Sequence, residues 1–123
     1  MDGAAFALEM HLVHYNSEHH DVQAAHDKEQ GLAVISVLFD ISEKDNEHLE
    51  PIMEASKKVR LYKVATEKLD RAISLAKLLP GKAAESFYIY NGSLSTPPCS
   101  ETVIWIVLKE RSTISECQLR LLR

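Results

Sequence analysis

Two stretches of the chain are almost continuously apolar. Each predicts a β-strand, and the first predicts a strand in the middle of a sheet. GLAVISVLFDIS, at 31–42, is rich in β-branched residues, and TVIWIVL, at 102–108, has no polar side chain after its first position. Such runs are typical of strands that are covered on both faces. Neither approaches the ~20 apolar residues that a membrane-spanning helix requires, so no membrane segment is predicted in this chain.

Two further strands are predicted from shorter patterns. One covers 6–15 and the other covers 86–90, where a tight Asn-Gly turn at Asn91 is expected to follow. Four strands accompanied by short helices predict a mainly β fold of the α+β class. A sheet with so few strands has unpaired edges, so we expect the chain to self-associate.

Helices are predicted between and after the strands. Apolar residues at helical spacing predict an amphipathic helix over 45–59, with Asp45 or Asn46 as its cap. A short helix is expected to end at Pro80, and a hydroxyl at position 113 or 115 is expected to cap a C-terminal helical turn. The polar segment 16–30 predicts a surface loop that can include one helical turn.

The stretch EMHLVHYN, at 9–16, places titratable side chains in what otherwise predicts a buried strand. Alternation puts Glu9, His11 and Val13 on one face and His14 on the other. An unpartnered buried glutamate or imidazole costs about 1–3 kcal/mol, so each needs a hydrogen-bonding partner. His11 is a candidate zinc ligand, and Glu9 is of the right type to orient its ring. Taken alone, the stretch is explained more simply by hydrogen-bonded histidines within a sheet. The side chains of His11 and His14, three positions apart on a strand, point to opposite faces and cannot bind the same ion.

A second candidate site is the loop GSLSTPPCS, at 92–100, where Ser95 and Thr96 precede two prolines. Prolines rigidify a loop, and a rigid hydroxyl can orient a reacting group. Turn formation, in which the hydroxyl bonds its own backbone, is the commoner use of such residues. Asn91-Gly92-Ser93 also matches an N-glycosylation acceptor, although the tight-turn interpretation is favoured there.

Composition and charge narrow the classes of function. The 123 residues carry a formal net charge of −4, and without a basic stripe to neutralise phosphates we predict no nucleic-acid binding. This length predicts one domain at most. Cys99 and Cys117 are too few for a disulfide framework, so two unpaired thiols are the simplest interpretation. No signal-peptide pattern is recognised, and the compartment is not predicted.

In their order and spacing, these segments resemble the C-terminal half of the alpha class of carbonic anhydrases. LEMHLVHYN, GLAVISVLFDIS, and GSLSTPPC followed by WIVLKE carry the resemblance, which covers nearly the whole chain. It implies part of a large, mostly antiparallel twisted sheet. It also implies a carbonate dehydratase, in which zinc held by three histidines hydrates carbon dioxide reversibly to bicarbonate and a proton.

The resemblance further implies roles for individual residues. His11 corresponds to the third zinc ligand, and Glu9 to the carboxylate that holds its imidazole from behind. Ser95 takes the position of a hydroxyl, usually a threonine, that orients the nucleophile, and Thr96 is its neighbour at the substrate. The substrate-binding residues implied are Val13, Val34, Leu94, Ser95, Thr96, Val103 and Trp105.

The chain departs from the family's pattern in its metal donors. The family's first two zinc ligands form a His-x-His pair on an earlier strand, and this sequence contains no His-x-His. We therefore expect 1–123 to be a partial domain whose partner is the missing N-terminal half. Zinc would need two further histidines, and the chain alone is expected to be inactive. Two alternatives stay open: a non-catalytic binding module related to carbonic anhydrase, and a truncated product without a stable fold.

Overall fold

A computed structural model describes residues 3, 5–63, 66–95, 97, 99 and 101–123. These residues form two compact units. The first takes its residues from Met1–Leu8, Phe39–Gly81 and Arg111–Arg123, and the second takes its residues from Glu9–Leu38 and Lys82–Glu110. Strand residues and short helices occur in both units, so the predicted α+β class is confirmed.

The second unit is built on a sheet with the strand order β1-β2-β4-β3. The strands are β1 (Leu8–Tyr15), β2 (Leu32–Ser42), β3 (Phe87–Gly92) and β4 (Val103–Leu108). Leu8 and the last four residues of β2, from Phe39 onward, belong to the first unit. β2 pairs with β4 in parallel, and β3 pairs with β4 in the antiparallel direction. The two apolar runs thus form the central strands, as was predicted for 31–42, and β1 and β3 are the edges of this order.

The core of the second unit lies around β2 and β4. Its buried side chains are Ala25, Leu32, Val34, Val103 and Trp105, and Leu94 packs against them. Burial of a large apolar side chain contributes about 1.5–3 kcal/mol, so this cluster is a main source of the unit's stability. Ala25 comes from the one short helix of the loop between β1 and β2, α1 (Val22–Ala25).

The first unit combines a short strand with helices. A fifth strand, β5 (Ser112–Ser115), pairs in parallel with the end of β2, where Phe39 lies opposite Ser112. A 3₁₀ turn (Glu47–Leu49) leads into α2 (Glu50–Tyr62), and α3 (Leu75–Leu78) and α4 (Glu116–Leu122) follow. The buried apolar side chains of this unit include Phe39, Leu49, Met53, Leu78, Ile114 and Leu119.

The start of α4 is held by a hydrogen-bond network. Ser115 is its N-cap, and the Ser115 hydroxyl accepts from the backbone N–H of Gln118, as predicted for a hydroxyl cap. The Gln118 side chain donates to the Asn46 carbonyl and accepts from the Asn46 N–H, both at 2.9 Å. Asn46 in turn caps the 3₁₀ turn, so one glutamine links two helix starts.

Two sequence predictions are wrong. Asn91-Gly92 does not form a tight turn, because both residues continue β3 and pair with Ile104 and Val103. A Cβ on Gly92 would lie 2.9 Å from Trp105 Cδ1, so glycine is required by a cross-strand indole rather than by a turn. β1 is also not a buried strand, since Glu9 and His11 lie on its exposed positions, as expected for an edge.

The helices follow the predicted pattern closely. α2 begins with Pro51 in its first turn, where proline is tolerated, and ends at the left-handed residue Lys63. α3 ends before Pro80, as predicted. Within the described ranges, no helix is long and apolar enough to cross a membrane.

Candidate functional site around His11

Glu9 and His11 are joined by a hydrogen bond on β1. His11 Nε2 lies 2.8 Å from Glu9 Oε1, and the Ser36 hydroxyl donates to the same carboxylate oxygen at 2.6 Å. Ser36 lies on the neighbouring strand β2 and is fully buried. Glu9 therefore has two hydrogen-bonding partners, and at least one was predicted from the sequence for this side chain.

These contacts lower the pKa of Glu9 and select the tautomer of the His11 ring. The Ser36 hydroxyl bond lowers the pKa of Glu9 below its ordinary value, partial burial opposes this, and His11 lowers the pKa further. An ionised carboxylate can only accept, so in the neutral imidazole His11 Nε2 carries the proton. Nδ1 then holds the lone pair, and no hydrogen bond among the described residues uses it.

Trp105 forms the surface next to this imidazole. Its indole meets the His11 ring edge-on, with ring centroids 4.9 Å apart, and Tyr90 stacks on it from β3 at 6.5 Å. Trp105 Nε1 donates to the Ser93 carbonyl at 3.0 Å, which fixes the plane of the indole. Gly92 leaves room for that indole, because a Cβ at this position would lie 2.9 Å from Trp105 Cδ1.

Four of the predicted substrate-binding residues lie together in the core of this unit. Val34 lies opposite Trp105 in the parallel register of β2 and β4, and Leu94 packs against the cluster that also contains Val103. Val13 differs, because 46% of it is exposed on the edge strand β1. The apolar cluster that contains Trp105, the indole next to His11, therefore comes mainly from β2, β4 and the segment after β3.

The loop at 92–100, which contains the predicted hydroxyl residues, makes few contacts among its described residues. Ser95 is exposed, and no hydrogen bond of its hydroxyl occurs among the described residues. Thr96 lies outside the described residues. Cys99 and Cys117 are both free and exposed among the described residues. His14 Nδ1 lies 2.9 Å from the Leu12 carbonyl, a local bond within its own strand.

Ser36 is the site residue that sequence reasoning missed. It is a polar residue inside the apolar run of β2, and that position was the available signal, because a buried hydroxyl needs a partner. Ser36 and Glu9 are 27 positions apart in the chain, so their hydrogen bond could not be predicted from local sequence. Strand alternation alone does not reveal which residue of a neighbouring strand is opposite.

The described residues bring few metal donors together at His11. A catalytic zinc takes about three protein ligands. In the parts of the chain that the structure describes, no group of three or more His, Cys, Asp or Glu side chains could hold a metal ion. His11 supplies one ring nitrogen with the carboxylate partner that metal-binding histidines usually have, so these residues alone do not fit a complete zinc site.

The fold and this site define an α+β protein in which a carboxylate-held imidazole lies at the side of an apolar, tryptophan-containing patch. The sequence model of the family described as eukaryotic-type carbonic anhydrase matches residues 1–123. The chain therefore belongs to the eukaryotic-type carbonic anhydrase family.

Several curated proteins are similar to the chain. Mouse carbonic anhydrase 6 is 40% identical over 119 residues, covering 96% of this chain and 37% of that protein. Human carbonic anhydrase 12 is 39% identical over 120 residues, covering 97% of this chain and 33% of that protein. Rat receptor-type tyrosine-protein phosphatase zeta is 38% identical over 121 residues, covering 97% of this chain and 5% of that protein. The chain thus spans less than half the length of these relatives.

Proposed function

We propose that this chain forms part of the active site of a carbonate dehydratase, which hydrates carbon dioxide reversibly to bicarbonate and a proton. His11 is proposed as one of three imidazoles that share a zinc ion, and the other two come from outside these 123 residues. The observation that carries the proposal is the bond between His11 Nε2 and Glu9, which directs the Nδ1 lone pair away from the carboxylate.

Glu9 is proposed as a positioning residue in this site. Its carboxylate selects the tautomer of His11 and limits rotation of the ring, which raises the basicity of the ligand nitrogen. The Ser36 hydroxyl supports this role, since its bond to Glu9 Oε1 keeps the carboxyl ionised and in place. Side-chain exposure of 34% leaves His11 accessible to donors from elsewhere.

The apolar patch is proposed as the surface that receives carbon dioxide. Carbon dioxide has no net dipole and no hydrogen-bond donor, so apolar side chains favour it over water. Val34, Val103 and Trp105 form a buried apolar cluster against which Leu94 packs. We propose that carbon dioxide is received at the edge of this cluster where the Trp105 indole meets the His11 ring. We extend the proposal to Val13, Ser95 and Thr96 on the family resemblance, with the Ser95 hydroxyl orienting the nucleophile.

The test is a chimera that supplies the missing donors. The part of mouse carbonic anhydrase 6 that precedes its matched region is fused ahead of residue 1, and carbon dioxide hydration is followed by stopped flow. We expect the 123-residue chain to be inactive and the chimera to be active. In the chimera His11→Ala should abolish the activity, and His14→Ala should retain it, because His14 bonds only its own strand. An active His11→Ala chimera would contradict the proposed ligand.

Zinc titration of the chain alone tests the donor count directly. One imidazole binds zinc weakly, so calorimetry is expected to find no site tighter than micromolar. A nanomolar site with one zinc per chain would show that these residues suffice, and the shared-site proposal would then be wrong.

A second candidate is a non-catalytic binding module of the same fold. The similarity to a protein named as a receptor-type tyrosine-protein phosphatase favours it, since there the matching stretch is 5% of a much longer chain. The two candidates differ in the residues that precede residue 1 in the gene. A His-x-His on a predicted strand there would support the enzyme, and replacement of both histidines would support the module.

A further inference from the structure

The sequence Asn91-Gly92-Ser93 has a different setting from the tight turn that was expected for it. Both Asn91 and Gly92 lie in β3, paired with Ile104 and Val103, and Asn91 is exposed. Of the three asparagines in the chain, at 16, 46 and 91, only Asn91 is followed two positions later by serine or threonine. The triplet therefore meets the acceptor pattern Asn-x-Ser, with a residue other than proline in the middle.

Asn91 lies on the opposite face of the sheet from the candidate site. Tyr90 stacks on Trp105, and the missing Cβ of Gly92 would contact the same indole, so these two residues share the Trp105 face. Side chains alternate along a strand, which places Asn91 on the other face. A large group on Asn91 would thus project away from His11 and Trp105.

The surroundings of Asn91 leave space for such a group. Asn91, Gly92, Ser93 and Glu101 line an open surface hollow of about 380 Å³. β3 is also an edge of the order β1-β2-β4-β3, so its outer side has no strand partner among the described residues. The main contact of Ser93 is made through its carbonyl, which accepts from Trp105 Nε1.

From these observations we propose that Asn91 is an acceptor for an N-linked glycan. The co-reactant is a lipid diphosphate-linked oligosaccharide. Asn91 Nδ2 forms a bond to the anomeric carbon of the first sugar as the bond from that carbon to the diphosphate oxygen breaks. The lipid diphosphate leaves with the electron pair, and Nδ2 loses one proton to a base. The product is a neutral glycosylated amide on the face of β3 opposite Trp105.

The proposal is tested with the full chain behind a cleavable secretion signal, translated in the presence of microsomes. Because transfer occurs during translocation, this readout does not depend on complete folding. We expect a slower-migrating band that peptide-N-glycosidase removes with deamidation at position 91. The shift should be lost in Asn91→Gln and Ser93→Ala, kept in Ser93→Thr, and kept in the matched control Asn16→Gln. Absence of the shift, or a shift that persists in Asn91→Gln, would overturn the proposal.

The face assignment has its own readout in the purified glycosylated chain. The chain contains one tryptophan, Trp105, so its fluorescence reports the Tyr90 and Gly92 face alone. We expect the emission maximum to be the same before and after native glycosidase treatment. An emission shift on removal of the glycan would overturn the placement of the glycan on the opposite face.

Discussion

Ser36 and Glu9, 27 positions apart in the chain, are joined by a 2.6 Å hydrogen bond from the serine hydroxyl to the carboxylate. The same oxygen accepts a hydrogen bond from His11 Nε2. A buried hydroxyl on β2 therefore helps to orient an imidazole on β1, because both bond to the same carboxylate oxygen. Two charge-assisted hydrogen bonds on one carboxylate make it a strong anchor for the ring. The candidate ligand is therefore oriented by residues of its own unit before any metal is present.

The first prediction concerns the pKa of Glu9. Ser36→Ala removes the largest cause that lowers it, so the Glu9 pKa should rise, as measured by carboxyl carbon NMR during a pH titration. Ser42→Ala is the control, because the Ser42 hydroxyl bonds the Lys44 carbonyl instead. An unchanged Glu9 titration in Ser36→Ala would contradict the assigned cause.

The same shift gives a pH dependence of stability. Because the folded-state pKa of Glu9 is lowered, the stabilisation by its ionised form is present above the ordinary carboxyl pKa. It is lost as the pH falls through the lowered folded value. We therefore compare the free energy of unfolding of the wild type and Ser36→Ala by denaturant unfolding at several pH values. The difference between them should shrink as the pH falls from the ordinary carboxyl pKa through the lowered pKa of folded Glu9.

A second prediction uses the contact between Gly92 and Trp105. Gly92→Ala places a Cβ 2.9 Å from Trp105 Cδ1, so the indole must move. Overpacking of this kind costs about 1–3 kcal/mol in the free energy of unfolding. Urea unfolding followed by Trp105 fluorescence measures it, with Gly81→Ala as the control, since nothing lies within 4 Å of a Cβ there. Equal stability of the two variants would contradict the close approach.

The central strands could be predicted from sequence, and the exceptions have physical causes. Apolar runs identify β2 and β4 because burial on both faces leaves no place for polar residues. β5 was missed because it is four residues long, with only Ile114 apolar, and forms by pairing with the end of β2. Asn91-Gly92 was misassigned because local turn preference was outweighed by a cross-strand indole.

The candidate site was predictable only in part. Strand alternation and the family resemblance identified Glu9 and His11, and the structure gives the hydrogen bond between them. Their roles at a metal stay predictions, as do those of Ser95 and the apolar residues. Ser36 could not be found, because pairing between distant strands depends on register, which single-strand periodicity does not contain.

A third prediction tests the capping network of the first unit. Gln118 is buried and bonds both backbone groups of Asn46, so Gln118→Ala leaves an N–H and a carbonyl without their partner. The expected cost is about 1–3 kcal/mol in thermal or denaturant unfolding followed by circular dichroism. Arg120→Ala in the same helix is the control, because its 3.8 Å pair with Glu116 is exposed and worth little. Equal losses in both variants would contradict the network.

The fourth prediction concerns self-association through β3. This edge strand carries no charged side chain, and its Phe87, Tyr88, Ile89 and Tyr90 are all exposed. Uncharged, aromatic edges favour pairing between copies, and a single lysine opposes it. Ile89→Lys should therefore lower the average mass in sedimentation velocity at equal concentration. Leu61→Lys is the control, since Leu61 is 73% exposed but lies in α2, and a helix offers no strand edge. If the wild type is monomeric, or if both lysine variants dissociate it equally, association does not run through β3.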